Sequence, residues 1–201
     1  MKQNVIVVAV DGSAASQTAT RWAANTALKR KEPIRLVSTY SMPQFLYAEG
    51  MVPPQELYDD LEAEAMEKID TARKIIADFD ESVEVSYQVE EGNPIDMLLD
   101  ISQDVTMIVM GSRGLGGFSG MVMGSVSAAV VSHAKCPVVV VREESDVSTA
   151  TKYGPVVVGV DGTGVAEKAI EMALPRLVPV RPRYVQFTPG LICRFRLPLP
   201  G

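Results

Sequence analysis

Residues 105–114 read Val-Thr-Met-Ile-Val-Met-Gly-Ser-Arg-Gly, and after nine further residues positions 124–127 read Gly-Ser-Val-Ser. The apolar run predicts a buried strand that ends at Met110, and the serines after Gly124 predict the start of a helix. Glycines let a backbone approach a phosphate closely, and the N–H groups at a helix start point at such an anion. The stretch therefore predicts a strand, loop and helix that bind phosphate or nucleotide.

The same alternation of strand and helix extends through the first 142 residues. Continuous β-branched runs suit central parallel strands, and apolar residues at three- and four-residue steps predict helices. Because right-handed crossovers leave few other topologies, we expect an α/β fold with a Rossmann-like, doubly wound open sheet of five parallel strands in the order 3-2-1-4-5. The expected strands are 5–10, 34–40, 83–89, 105–110 and 137–141, and the expected helices are 14–29, 54–78, 94–101 and 125–134.

Charge and cysteine content exclude several classes of protein. The net charge is −6, and residues 176–201 hold five arginines and no acid, so the first 175 residues carry −11. Such an acidic domain argues against nucleic acid as a partner. The start leads directly into a strand, no apolar run is long enough to span a membrane, and Cys136 and Cys193 stand far apart. We therefore expect a cytoplasmic protein without a membrane partner, a metal site or a disulfide framework.

The opening strand and turn return 150 positions later, where Val157 to Thr163 matches Val7 to Ser13. After a helical stretch the repeat fails, and prolines and arginines accumulate from Pro175. A frameshift or premature stop is our hypothesis for this break. We expect one complete domain at 1–142, a polar linker at 143–154, a partial second βα unit from a truncated domain at 155–175, and an atypical, poorly ordered tail at 176–201.

Gly111, Gly114, Gly124 and Ser125 stand at the spacing Gly-x2-Gly-x9-Gly-Ser. In this motif the chain resembles the nucleotide-binding branch of the universal stress protein family. Val10 to Ser13 after the first strand and His133 to Val138 are similar to the same family. The resemblance covers residues 4–142 well and 155–174 in part. The resemblance implies a tandem-domain member of the family that binds ATP, with or without magnesium.

We expect this site at the carboxyl ends of the strands, where ligands of doubly wound sheets bind. The resemblance implies that Asp11 contacts the base or ribose of the nucleotide or holds a metal indirectly. It also implies that Thr39 lies where backbone groups of the family recognise adenine. The loop contains one cation, Arg113, and lacks the Gly-Lys-Ser/Thr of a Walker-type P-loop. The predicted binding residues are Ala9, Val10, Asp11, Ser13, Thr39, Met110, Gly111, Ser112, Arg113, Gly114, Leu115, Gly116, Gly117, Gly124, Ser125, Val126 and Ser127.

Structural alternatives exist for these residues. Asp11 and Ser13 suit the N-cap of the first helix, and the glycines can form a turn without a ligand. Residues 42–51, with several methionines and aromatics, can cover a base as a lid or pack in the core or a dimer. The density of glycines favours close approach of a ligand over a spacer.

Three classes of function stay open from the sequence. The chain can be an ATP-binding regulatory protein of the stress response, a slow ATPase or phosphotransfer enzyme, or a structural dimerisation domain without nucleotide. We favour the first, since the glycine motif is complete and neither the single histidine, His133, nor an acid lies within the loop as a general base. No catalytic residue is predicted. Strand Val138–Val141 is apolar on both faces and predicts a homodimer contact if it ends the sheet.

Overall fold

The computed structural model describes residues 3–43, 52–116 and 123–142, and the backbone of short strands at 157–158, 185–186 and 193–195. The chain divides into two compact units, residues 1–144 and 145–201. Within the described ranges, no helix is long and apolar enough to cross a membrane.

The first unit alternates strands and helices as the sequence predicts. Most element boundaries lie within two residues of the predicted ones, because continuous apolar runs and helical spacing mark them clearly. The strands are β1 (Ile6–Ala9), β2 (Ile34–Tyr40), β3 (Val85–Glu91), β4 (Met107–Gly111) and β5 (Val138–Val141), and the helices are α1 (Ala14–Arg30), α2 (Gln55–Phe79), α3 (Pro94–Ile101) and α4 (Ser125–His133).

The five strands form one parallel sheet in the order β3-β2-β1-β4-β5. Ile6 in the central strand pairs with Ile34 of β2 on one side and with Met107 of β4 on the other. The predicted fold class and strand order are therefore confirmed. β5 lies at one edge of this sheet, and the order reverses between β1 and β4, which places a switch point at their carboxyl ends.

Helices cover both faces of the sheet, so the strands need apolar residues at successive positions. On one face, Val7 and Ile108 pack in a core with Leu98 of α3 and Val130 of α4. On the other face, α1 packs against α2 and β4. The buried side of α1 consists mainly of small residues, which lets this helix approach the strands closely. This close approach restricts which residues fit at the end of β4, where the loop begins.

Three short strands lie in the second unit: β6 (Val157–Val158), β7 (Val185–Gln186) and β8 (Cys193–Phe195). They form an antiparallel sheet in the order β6-β8-β7. β6 falls at the predicted first strand of the partial repeat, and the predicted helix after it lies outside the described residues. The sequence predicts no strand in residues 176–201, since two- and three-residue strands are too short to show a period. The domain boundaries, the truncated second domain and the poorly ordered tail stay predictions.

Candidate functional site

The carboxyl ends of β1, β2 and β4 border one cavity of about 870 Å³. This volume is in the range of pockets that hold small ligands, about 300–1,000 Å³. The wall includes the loop after β1, the residues that end β2, the glycine loop and the start of α4. The three separated stretches that the sequence analysis assigned to a single site are thus brought together.

The turn after β1 is built around Asp11. Asp11 Oδ1 accepts hydrogen bonds from the backbone N–H of Ser13 at 2.9 Å and from Ser13 Oγ at 2.6 Å. Between the two residues, Gly12 has a φ of +86°, a conformation that favours glycine. Ser13 Oγ also lies 3.3 Å from the carbonyl oxygen of Arg113. The β1 turn and the glycine loop therefore meet at the Ser13 hydroxyl.

The N-cap of α1 is Ser13, whose Oγ accepts the N–H of Ser16 at 3.1 Å. The sequence left the role of cap open between Asp11 and Ser13, because both side chains are good caps. With Ser13 in that role, Asp11 is not the cap of this helix, and its carboxylate lines the cavity.

The glycines between positions 111 and 116 have different structural roles. A Cβ on Gly111 would lie 2.8 Å from the backbone carbon of Ala15 and 2.9 Å from the nitrogen of Ser16, so this glycine lets α1 lie against β4. A Cβ on Gly114 would lie 2.5 Å from Asp11 Oδ2. A Cβ on Gly116 would extend into open space. Helix packing requires the first glycine, and the fit to the Asp11 carboxylate requires the second.

Helix α4 begins without a side-chain cap, because its N-cap residue is Gly124. The N–H of Gly124 donates to the carbonyl oxygen of Ser112 at 2.8 Å, and the first intrahelical bond runs from Ala128 N to Gly124 O. The N–H groups of Ser125, Val126 and Ser127 therefore have no partner within the helix. All three residues line the cavity, so the positive end of the helix dipole faces it.

The hydroxyl of Ser127 is engaged within the protein. Its side chain is buried, and Oγ donates to the carbonyl oxygen of Gly111 at 2.9 Å. This bond ties the first turn of α4 to the end of β4. Ser127 was predicted as a binding residue; its hydroxyl donates its hydrogen bond to Gly111, so its backbone N–H is the group left for a ligand. Ser125, in contrast, is exposed at the helix start.

Most of the predicted site residues line this cavity. Ser13 and Ser112 are buried behind the wall, where they support it through the hydrogen bonds described above. Gly117 lies outside the described residues. The predicted residues that line the cavity are Ala9, Val10, Asp11, Thr39, Met110, Gly111, Arg113, Gly114, Leu115, Gly116, Gly124, Ser125, Val126 and Ser127.

The cavity wall also includes nine residues that were not predicted from the sequence. Ser38 and Ser41 flank the predicted Thr39, so a wider window at the end of β2 would have included them. The others come from strand β2, from helices α1, α2 and α3, and from the loop after β3, where no local motif marks them. The full set is Ser16, Val37, Ser38, Ser41, Lys68, Gly92, Pro94, Met97 and Leu98. Of the proposed lid, Met42 is buried, and Phe45, Tyr47 and Met51 lie outside the described residues.

The described residues of the cavity wall carry few charges. Arg113 and Lys68 are basic, and Asp11 is acidic. Beside the cavity, desolvation raises the pKa of the Tyr40 hydroxyl above its ordinary value, and the carboxylates of Glu62 and Glu91 add to that effect. Tyr40 is therefore neutral at physiological pH. Over the described ranges, no group of three or more His, Cys, Asp or Glu residues is arranged to hold a metal ion.

The fold and the cavity define an α/β protein with an uncapped helix start beside a cavity at the switch point of a parallel sheet. A profile of the universal stress protein family matches residues 3–142. The chain belongs to that family.

Known relatives agree with this assignment. Universal stress protein Rv2623 from Mycobacterium tuberculosis (strain ATCC 25618 / H37Rv) is 34% identical over 171 residues, which cover 84% of this chain and 57% of that relative. Among solved structures, universal stress protein UspA from Lactobacillus plantarum superposes with a TM-score of 0.59 at 23% identity, over 71% of this chain and 99% of that one. A universal stress protein solved in complex with cAMP has a TM-score of 0.53 at 19% identity, over 71% and 99%.

Proposed function

We propose that this protein binds ATP in the cavity at the carboxyl edge of its sheet and acts as a regulatory protein of the stress response. The observation that carries the proposal is the convergence of the glycine loop and the uncapped start of α4 on one cavity. Backbone N–H groups without helix partners and the helix dipole together favour a phosphate at this place. Arg113 adds a positive charge from the loop.

Another part of the cavity lining suits a base. Val37, Met97 and Leu98 contribute apolar surface, and Ser38 and Thr39 at the end of β2 add polar groups. Such a combination of apolar walls with a few polar groups is typical of sites for flat organic ligands. A relative of the same fold was solved in complex with cAMP, which supports an adenine nucleotide as the ligand class.

Magnesium fits this proposal through Asp11. Mg²⁺ is commonly held by one or two carboxylates together with substrate phosphates. Asp11 is the one acid among the described lining residues, and its Oδ2 is directed toward Gly114 in the glycine loop. We infer that Asp11 would hold the ion, whose charge would offset the phosphates.

We expect the nucleotide to be held rather than rapidly cleaved. General acid–base chemistry needs a positioned proton acceptor near the reacting atom. His133 lies at the far end of α4, where its Nδ1 is 2.9 Å from the carbonyl oxygen of Ala129. The Oδ1 atom of Asp11 is engaged by Ser13. Slow hydrolysis or phosphate transfer is the alternative function that the experiment below distinguishes.

Three measurements on purified protein separate the candidate functions. Small molecules released on denaturation are identified by chromatography, ATP affinity is measured by calorimetry with and without magnesium, and turnover is followed with labelled ATP. Bound ATP without turnover supports the proposal, and steady product formation supports the enzyme. The absence of bound nucleotide and of affinity below the millimolar range would support the structural dimerisation domain.

A pair of variants tests the location of the site. Gly114→Glu places an anion in the glycine loop and should abolish ATP binding through repulsion and lost space. Ser132→Glu adds the same charge at an exposed position near the other end of α4 and should keep the affinity. If ATP bound equally well to both variants, the site would lie elsewhere.

The proposal also includes the oligomeric state and the cellular location of the protein. β5 is the edge strand of the sheet next to β4, and an apolar edge strand offers unpaired backbone groups to a second copy. We propose a homodimer through Val138–Val141. The cytoplasmic location that the sequence favours is also part of this proposal.

A further inference from the structure

Lys68 lies in α2, outside the glycine motif, and it lines the cavity. Its aliphatic stem lies against the turn after β1, where a Cβ on Gly12 would be 3.2 Å from Lys68 Cγ. The side chain is 25% exposed and is one of the residues that line the cavity. Lys68 therefore contacts the turn after β1 and lines the same cavity that the phosphate loop borders.

The amino group of Lys68 is paired with Glu64, one turn earlier in α2. Nζ lies 2.8 Å from Glu64 Oε1, and the side chain of Glu64 is 61% exposed. The hydrogen bond from Lys68, and then its charge, hold the pKa of Glu64 below its ordinary value. An exposed pair of this kind contributes little to stability, because water screens the attraction. A more highly charged anion nearby can therefore draw the amino group away at small cost.

A nucleoside triphosphate is such an anion. Lys68 and Arg113 are the basic side chains among the described lining residues, and Asp11 opposes them with one negative charge. A lysine side chain combines a compact charge with three donors on a flexible stem, which suits a phosphate chain of variable length. Arg113 belongs to the loop itself, whereas Lys68 would approach from helix α2.

We infer that Lys68 selects the number of phosphates on the bound nucleotide by exchanging its partner Glu64 for the phosphate chain. The inference rests on the proposed nucleotide binding and deepens it by naming the residue that favours ATP over AMP. Glu64 binds the amino group in the free protein and competes with the ligand for it. The stem of Lys68 stays on Gly12 in both arrangements, so the exchange needs movement of the side-chain end only.

The experiment compares ATP, ADP and AMP affinities of the full chain by calorimetry. Lys68→Met keeps the apolar stem and removes the charge, so the ATP affinity should fall about tenfold, as expected for loss of a charge-assisted hydrogen bond. The AMP affinity should change by less than about twofold, since the attraction falls with ligand charge. Lys68→Arg should restore most of the preference. Lys74→Met removes an equal charge from an exposed position of α2 and should leave all three affinities unchanged.

Glu64→Gln tests the exchange without altering Lys68. It should tighten ATP binding by about twofold to threefold, because a neutral amide competes less for the amino group. In the wild-type protein, ATP should also raise the pKa of Glu64 toward its ordinary value, as seen by carboxyl NMR.

Equal loss of all three affinities in Lys68→Met, or no loss at all, would overturn the inference while nucleotide binding stands. Absence of nucleotide binding by the wild-type protein would overturn both. If Lys68→Met fails to fold, the affinity of Glu64→Gln and the NMR shift decide the question: no change in either contradicts the exchange.

Discussion

The carboxylate of Asp11 occupies the space that any side chain on Gly114 would need. Oδ2 of Asp11 lies 2.5 Å from the position of a Cβ on Gly114, which is closer than real Cβ contacts. Asp11 has little freedom to withdraw, because Ser13 holds its other oxygen with two hydrogen bonds. The loop after β1 and the loop after β4 are therefore fitted to each other at this pair.

Gly114→Ala should weaken ATP binding by about tenfold, because overpacking of about 1–3 kcal/mol must displace either the carboxylate or the loop. In an Asp11→Ala background the same substitution should cost little, since the space is then available. Non-additivity of this kind is the signature of residues in contact. Calorimetric ATP affinities of the two single variants and the double variant measure the coupling.

Asp11→Asn is the matched control for this cycle. It keeps the size of the side chain and removes its charge, so Gly114→Ala should remain costly in that background. Additive effects in the Asp11→Ala background would contradict the steric account.

Gly111 is predicted to act on stability through the packing of α1 on β4. A methyl group in Gly111→Ala would meet the backbone of Ala15 and Ser16 at 2.8–2.9 Å, and a backbone cannot swing aside as a side-chain end can. The free energy of unfolding should fall by about 1–3 kcal/mol or more, as for an overpacked core. Gly116→Ala should change it by less than about 0.5 kcal/mol, because the added methyl meets no neighbour. Urea unfolding measures both, and equal stabilities would refute this role of Gly111.

Ser127→Ala should lower the free energy of unfolding by about 1–2 kcal/mol, because a buried hydrogen bond to the Gly111 carbonyl is lost. Ser125→Ala, at an exposed position of the same turn, should lower it by less than about 0.5 kcal/mol. The ATP affinity of Ser127→Ala should stay within about threefold of the wild-type value, since its backbone N–H remains at the uncapped helix start. A large loss of ATP affinity without loss of stability would instead indicate that the Ser127 hydroxyl contacts the ligand.

Local pattern sufficed to predict the sheet and the positions of its loops. Continuous apolar strands, helical spacing and the right-handed crossover leave one economical arrangement, and it brings Asp11, Thr39 and the glycine loop to the same edge. The same reasoning could not assign individual roles to Gly111 and Gly114, because those roles depend on which atoms of α1 and of the turn after β1 lie opposite each glycine.

Lys68 was not predicted as a site residue, for a related reason. It lies in the middle of α2, where a lysine next to Ile69 reads as an ordinary border residue of an apolar stripe. Only the packing of α2 against α1 brings its stem to Gly12. The cap of α1 was also left open, because Asp11 and Ser13 are both good caps, and Ser13 takes this role. Residues of a site that come from helix interiors carry no local signal of their function.

The edge of β5 gives a prediction for the proposed homodimer. Pro137 and Val141 accept hydrogen bonds from Ile108 and Ser112, so their carbonyl groups face β4. Because backbone direction alternates along a strand, Val139 also faces β4, while the N–H and C=O of Val140 face the open edge. A second copy that pairs along this edge would use the Val140 groups.

Val140→Pro removes an outward N–H and keeps an apolar side chain, so the dimer should dissociate while the sheet persists. Val139→Pro removes a bond to β4 instead and should lower the melting temperature. Light scattering at micromolar concentration, together with thermal unfolding, measures both effects. A monodisperse wild-type monomer would contradict the proposed dimer, and a dimeric Val140→Pro variant would place the contact on another surface.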